Sequence, residues 1–510
     1  MQRIFPIVLS CCVVLAIVAI DWADASDIDR ENAPGDMISV AQYLKNQPKP
    51  QFRQGHRLAS LTRFGWTLPI DARIELARDW GYALEFGGYV TEAVAARLED
   101  PNSVESRLVA LAASDPQMYR LGVICSRELP KEVPPKTWTR TADGKFIAGN
   151  GEVWEPNHTG KPGRRIWSPE APDAVFREAG RLRADPLRKV RAKAPIAVIL
   201  NGGEYALSVP GHHARHWQRD PHILEAKGDR SWFAYTSERK AHQEMIISQV
   251  VRKAVPDREL YIYYPCGGGT HRGDHPDWDQ WCWGYEWMEP ISDLPSNESY
   301  YLHYNTGWTG KRDMLTMVLN AKGFEIARGR PLSYSWLCAG WPRAEHGDRA
   351  LGDIDRYTGF LKCLYTTGMI GANAGYYAYP EGGFDAKFLP DRPPHWLQQM
   401  MALAHVHALF SHLEEFLWTG DLLPGPDTHR WSKHQPAYKI PTGDAEVRVL
   451  ARKKRQSFEW LITAWAAGGQ ERTVQVEIPN LGSLSIAARP CGSVYTACEQ
   501  SGGTELNQVD

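Results

Sequence analysis

Apolar residues fall along this chain in two rhythms. From about residue 59 to 418, short apolar or aromatic runs alternate with polar loops and amphipathic segments. The runs are Leu61 to Trp66, Tyr82 to Gly88, Arg120 to Ser126, Ile196 to Gly203, Leu260 to Cys266, Tyr300 to Tyr304, Leu332 to Trp341 and Ile370 to Tyr379. Runs of this length with no internal alternation read as strands covered on both faces, as in a parallel sheet. The segments between them carry stripes at helical spacing: Leu315, Val318 and Leu319; Ile354, Tyr357, Leu361 and Leu364; Leu397, Met400, Met401 and Ala404. Asp353 stands where it can cap the second of these, and Pro393 and Pro394 suit the first turn of the third. Eight strands, each followed by a helix, predict an α/β fold, a (β/α)8 TIM barrel with insertions. A doubly wound sheet is the alternative, and no Gly-rich dinucleotide fingerprint opens an early helix to support it.

After Trp418 the rhythm changes. Residues 419 to 443 contain Pro and Gly and read as a linker. Alternating runs follow: Val447 and Val449, Phe458 to Trp465, Val474, Val476 and Ile478, Leu484 and Ile486, Val494 and Tyr495. Period two with turns at Ala467-Gly468-Gly469 and Pro479-Asn480-Leu481-Gly482 predicts a small C-terminal antiparallel β-sandwich. The expected organisation is a leader over 1–25, an irregular segment over 26–58, a barrel over 59–420 and the β-sandwich over 421–510.

The leader is read from Arg3, the apolar run Ile4 to Ile20 and the small residues of Ala23-Asp24-Ala25. Cleavage before Ser26 predicts an exported protein with no stable membrane association afterwards; an uncleaved anchor is the rival reading. The chain has a formal net charge of -2, and the leader takes one Arg and two Asp with it, leaving -1. Such a balance offers nucleic acid no electrostatic footprint. Oligomeric state is not readable. Seven of the nine Cys remain after the leader, an odd number. Cys125, Cys338 and Cys363 read as buried thiols, and Cys266 with Cys282 or Cys491 with Cys498 as pairs able to bridge after export.

The 20 Trp and 21 Tyr change the picture most. The long connections leave strand ends three, four and five, and in a barrel such connections gather on the C-terminal face. They carry Trp138, Trp154 and Trp167, then His212, His213, His216 and Trp217, then Trp278, Trp281, Trp283, Tyr285 and Trp287. Sugars present C-H faces to rings and hydroxyl edges to carboxylates and amides, so a carbohydrate partner is expected. Glycoside hydrolysis further needs two carboxyl groups. In Ile196-Ala197-Val198-Ile199-Leu200-Asn201-Gly202-Gly203-Glu204-Tyr205 a buried strand delivers Glu204 to an open edge. Near the seventh strand end, in Tyr334 to Gly347, Glu345 is the only carboxylate. Glu286 after strand five and Glu381 after strand eight compete with it, and Glu85 stands ready to bond substrate from within strand two.

This arrangement resembles the clan of retaining glycoside hydrolases whose (β/α)8 barrels place the acid/base after strand four and the nucleophile after strand seven. The resemblance implies Glu204 as acid/base and Glu345 as nucleophile. In the clan Asn directly precedes the acid/base, whereas two glycines separate Asn201 from Glu204 here. Asn201, Tyr205, His212, Trp283, Glu286, Asn305, Trp308, Trp341 and Glu381 complete the expected substrate-binding set. Two other readings stay open: a glycan-binding barrel without catalysis, and a polysaccharide lyase with His212 or Tyr205 as base. No catalytic metal or other cofactor is expected. Asp277 and Asp279 with loop carbonyls would suit a structural calcium ion. The sugar, its linkage and exo or endo action are not readable.

Overall fold

The computed structural model describes residues 39–64, 68–128, 130, 133–148, 151–155, 167–202, 216–264, 289–300, 314–338, 354–375, 395–429, 432–500 and 503–510. The leader and the cysteines at 266 and 282 lie outside them. Eight parallel strands occur in the expected order: β1 Thr62–Phe64, β2 Leu84–Val90, β3 Leu121–Cys125, β4 Val198–Gly202, β5 Leu260–Tyr264, β6 Glu298–Tyr300, β7 Ser333–Cys338 and β8 Met369–Gly375. They form two arcs, β2-β3-β4-β5 and β1-β8-β7-β6. A parallel bridge between Leu61 and Tyr82 joins the arcs at β1 and β2. Expected closure between β5 and β6 is not seen as a strand ladder among the described residues. Side chains ahead of β6 span that seam instead: Tyr261 N donates to Asp293 Oδ2 at 2.7 Å and Tyr263 N to Ser292 Oγ at 3.0 Å.

Helices follow the strands: α1 Ile70–Asp79, α2 Val104–Ser114, α3 Asp173–Arg191, α4 Trp232–Ala254, α5 Met314–Ala327, α6 Ile354–Thr366 and α7 His395–Thr419. Local chemistry sets their ends. The hydroxyls of Ser103 and Ser231 accept from the backbone N–H groups of Ser106 and Ala234 at the starts of α2 and α4. Asp173 opens α3, and Arg188, Lys189 and Arg191 close it, in keeping with the helix dipole. The three helical stripes read from the sequence are buried. Among the described residues no helix is long and apolar enough to cross a membrane.

Alternation along each strand sorts the core into two. Val123, Cys125, Ile199, Tyr261 and Leu337 face the helices and join the main core. Ile124, Val198, Leu200, Ile262 and Tyr334 face inward as a separate cluster. Residues of β3, β4, β5 and β7 meet in that inner cluster, so the sheet is curled. The stacked rings of Tyr264 and Trp336, with centroids 4.1 Å apart, join the same two arcs.

Beyond α7 the chain turns antiparallel. Strands β9 Gly420–Leu422, β10 Val447–Lys454, β11 Glu459–Ala466, β14 Ser493–Gln500 and β15 Gly503–Gln508 form one sheet, and β12 Arg472–Ile478 with β13 Gly482–Ala488 forms a hairpin. The segment read as a linker is therefore partly structured, because β9 pairs with β10 directly at the end of α7. One face of the five-stranded sheet packs on the hairpin through Val449, Ile462, Ala464, Val474, Val476 and Ile486. The other face carries Leu450, Leu461, Trp465 and Val494 into the main core. At α6, Gly359 has no side chain because the Trp465 indole fills the place a Cβ would take. Arg452 is buried between the two layers and donates to the carbonyls of Thr366, Phe416, Leu417 and Gly420, at the last turns of α6 and α7 and just beyond. A guanidinium supplies donors where helix C-termini present orphan acceptors. Burial pulls its pKa down to about 10.

Cys491 and Cys498 are not bridged to each other, contrary to the pairing allowed above. Cys498 lies within extended β14, paired opposite Glu459, while Cys491 sits in the turn before that strand. Extended chain at about 3.3 Å per residue carries the two well past the roughly 7 Å Cα separation that a disulfide spans. Cys125 and Cys363 are buried as expected, and the Cys338 side chain lies outside the described set.

Candidate active site at the C-terminal face

Strand β4 shows how alternation divides labour. Val198 and Leu200 point into the inner cluster, so Ile199 and Asn201 point to the helices. Asn201 is buried, and its amide is engaged at both ends. Its Oδ1 accepts from Arg183 Nη1 of α3 at 2.9 Å. Its Nδ2 donates to the Tyr261 hydroxyl at 2.8 Å and to Glu244 Oε2 of α4 at 3.3 Å. Lys240 Nζ donates to the other Glu244 oxygen at 2.9 Å. Arg183 and Glu244 are fully buried, and desolvation lowers the Lys240 pKa. This network fastens α3 and α4 to the back of β4. The amide expected to hold a sugar hydroxyl is spent on the helix face of the sheet.

Gly202 has the inward parity of Leu200 and closes the described part of β4 in register with Tyr264. A Cβ at Gly202 would stand 3.1 Å from Arg127 Nη2. The Arg127 guanidinium, just past the end of β3, also lies over the Tyr89 ring at 5.0 Å from its centroid. A cation thus crosses the C-terminal end of β4, where the glycine leaves it room.

The opposite side of the inner face is polar. Thr62, Asn373 and Trp336 stand in one register row across β1, β8 and β7. Thr62 Oγ1 stands 3.1 Å from Asn373 Oδ1 and 3.0 Å from the Tyr334 hydroxyl. The Tyr334 hydroxyl donates in turn to the Ser60 carbonyl at 2.9 Å. Asn373 is fully buried, and its Nδ2 has no hydrogen-bond partner among the described residues. Gly371, one inward position below, is a glycine because Tyr334 lies where its Cβ would be, with ring carbon Cε2 2.7 Å from that point. On β2, Glu85 accepts from the Arg63 backbone N–H at 2.5 Å, with the Arg63 guanidinium 3.9 Å away. Burial pushes the Glu85 carboxyl up to about 7, and the Arg63 charge opposes that rise. Strands β8, β1 and β2 therefore present an amide, a hydroxyl and a carboxyl that titrates near neutrality, facing the ring pair of β5 and β7.

Several rings read from the sequence as a binding surface do structural work instead. Trp138 and Trp167 pack together with centroids 5.1 Å apart. The Trp217 indole N–H donates to the Trp167 carbonyl at 3.1 Å, and Trp217 packs with Ile147, Ile223 and Tyr235 in a small core of its own. Buried His216 lies against Gly151. Asp220 ties this unit together, accepting from the backbone N–H of Arg140 at 2.8 Å and of His222 at 3.0 Å. These rings hold the insertion after β3 against the chain that follows β4.

Of the expected acid pair and substrate-binding set only Asn201 is described, and of the further acid candidates only Glu85. Glu204, Glu345, Tyr205, His212, Trp283, Glu286, Asn305, Trp308, Trp341 and Glu381 lie outside the described residues, as do Asp277 and Asp279. Among the described residues no group of three or more His, Cys, Asp or Glu is placed to hold a metal ion. Thr62, Tyr264, Trp336, Asn373 and Arg127 were not singled out from the sequence. A polar residue inside an otherwise small and apolar strand, as Asn373 is in Met369–Gly375, is the signal that marks such a position.

No family model matches this sequence, and no curated protein matches it either. Solved structures that resemble the fold include an alpha-amylase from Geobacillus thermoleovorans, 11% identical with a TM-score of 0.42 over 77% of this chain and 81% of that one. A noncanonic maltogenic alpha-amylase from Thermotoga neapolitana is 10% identical, with a TM-score of 0.40 over 96% of both chains. A debranching enzyme from Nostoc punctiforme is 11% identical, with a TM-score of 0.41 over 77% of this chain and 78% of that one.

Proposed function

We propose that this protein is an exported glycoside hydrolase working through two carboxylates at the C-terminal mouth of a closed (β/α)8 barrel. Glu204 is the acid/base and Glu345 the nucleophile. The observation that carries the reading is the alternation of β4. Gly202 continues the inward row of Val198 and Leu200 to the end of the described strand, and in the sequence Glu204 comes two residues later. Polar groups on β8, β1 and β2 facing a stacked ring pair support a carbohydrate as the occupant. A retaining mechanism requires the two carboxyl groups about 5–5.5 Å apart, and inversion roughly 6.5–9.5 Å, which leaves room for a water. Export follows from the leader, and N-terminal sequencing of secreted material should begin at Ser26.

Paired variants test the roles. Glu204→Gln should slow natural glycosides by about 10²–10⁴-fold, the usual contribution of a general acid. Aryl glycosides with good leaving groups should suffer less, because they depart without protonation. Glu345→Gln should abolish turnover of both. Near-normal turnover by Glu345→Gln would move the nucleophile to Glu286 or Glu381. Failure of the parent to cleave any of a broad glycan panel would sink the enzymatic reading.

A further inference from the structure

Among the described residues, inward-facing polar groups of β1, β7 and β8 bond to one another, and one end of the Asn373 amide is left over. Thr62, Tyr334 and Ser60 form a chain of hydrogen bonds, and Asn373 joins it by one end of its amide. The other end of that amide is buried without a partner among the described residues. A buried polar group left unpaired costs about 1–3 kcal/mol, so such a group calls for a partner beyond the described residues. Its place on the inner face is distinctive. The next inward position on β8 is Gly375, with no side chain to cover Asn373 from above. The terminal inward position of β4 is likewise a glycine, Gly202. Beside Asn373 in register stands Trp336, stacked on Tyr264. Across β1, the Glu85 carboxyl reaches the backbone of Arg63, one residue past Thr62.

We propose that Asn373 is a ligand-contact residue and that a hydroxyl of a neutral sugar completes its amide. The chemistry selects the hydroxyl. With Oδ1 toward Thr62, the open end is an NH2 donor. With the amide turned, Nδ2 donates to Thr62, Thr62 to Tyr334 and Tyr334 to Ser60, and the open end is a carbonyl acceptor. A hydroxyl satisfies either arrangement because it both donates and accepts, whereas an ether oxygen, a carboxylate or an ammonium satisfies only one. The rings of Trp336 and Tyr264 suit the C-H face of the same sugar. The proposal rests on the reading that the C-terminal mouth takes carbohydrate, and it assigns Asn373 no part in bond cleavage.

The test uses the full exported chain and a panel of free neutral hexoses and their disaccharides, followed by titration calorimetry and by the thermal midpoint. At least one should bind the parent. Asn373→Leu should weaken that binding about tenfold, as expected for a lost hydrogen bond in a dry site. Asn373→Asp, which still accepts from a hydroxyl, should stay within roughly threefold of the parent. If the Leu variant does not fold, Thr62→Val removes the group that orients the amide and should weaken binding severalfold. Equal affinity of the parent and Asn373→Leu would overturn the proposal, the amide then being completed by internal water alone. So would a parent that binds no member of the panel. Glu204→Gln and Glu345→Gln keep the two readings apart. If both retain parental turnover while Asn373→Leu loses binding, the catalytic assignment falls and the ligand contact stands.

Discussion

Two polar clusters sit on the two arcs of parallel strands, one on the helix face and one on the inner face, and their asparagines are held differently. On the helix face, Asn201 is held at both ends by Arg183, Glu244 and Tyr261, and Lys240 completes Glu244. On the inner face, Asn373 is held at one end, and Glu85 titrates near neutrality. Both asparagines are buried in the middle of parallel strands. The difference lies in what surrounds them: two helices with long ionic side chains in one case, glycines and rings in the other. An asparagine amide paired at both ends ties helices to a strand, and one paired at a single end keeps hydrogen-bonding capacity for a guest. Burial of a polar residue alone does not distinguish them; the count of its satisfied atoms does.

The comparison breaks most readily at Glu244. Glu244→Gln leaves Arg183 and Lys240 without their counter-charge in the core, and should cost about 3–5 kcal/mol, read as a lower urea midpoint. A loss under roughly 1 kcal/mol would show that Glu244 does not hold the helix-face cluster together. On the inner face the sharper probe is pH. Glu85 has its folded pKa raised to about 7 from the ordinary 4.5, so the folded chain keeps a proton that the unfolded chain has lost between those values. Its contribution to stability is therefore complete below pH 4.5 and is lost as pH rises through 7, on the order of 3 kcal/mol in all. Glu85→Gln should remove that slope and make the variant the more stable protein at pH 8. An unchanged slope across pH 4.5–8 would place the titrating group elsewhere. The smallest effect is expected at Gly202. Gly202→Ala puts a methyl 3.1 Å from Arg127 Nη2, and a guanidinium at the end of a flexible chain can yield by a few tenths of an ångström. Stability should change by about 1 kcal/mol or less, while affinity for the sugar proposed above should shift if Arg127 borders that ligand; affinity identical to the parent would place Arg127 away from it.

Strand order was legible because a parallel strand buried on both faces has no choice but an apolar run. Seven of the eight runs contain their strand core, and β6 begins two residues before the run read at Tyr300. What the runs do not carry is which face a polar residue meets. Asn201 reads as a site residue because it precedes Glu204, yet its parity follows Ile199 toward α3 and α4. The parity was available in the sequence, but the long partners Arg183 and Glu244 lie 18 and 43 residues away. Asn373 was passed over for the converse reason: its neighbours are small and apolar, and only the register with Thr62 and Trp336 gives it a place. The tryptophans misled through composition. Trp138, Trp167 and Trp217 lie in Gly- and Pro-rich stretches because they form a compact core there, with few helices or strands to help.

Arg452 sets a schedule for synthesis. The last turns of α6 and α7 present their carbonyls to a guanidinium carried by β10, which lies after both helices in the chain. A ribosome therefore releases all eight parallel strands before the residue that finishes the last two helices has been made. Until β10 emerges, those helix ends must be wetted by solvent or guarded by a chaperone. The C-terminal sheet is in this sense the final step in the assembly of those strands and helices, and a chain cut after α7 would remain permanently at the stage just before it.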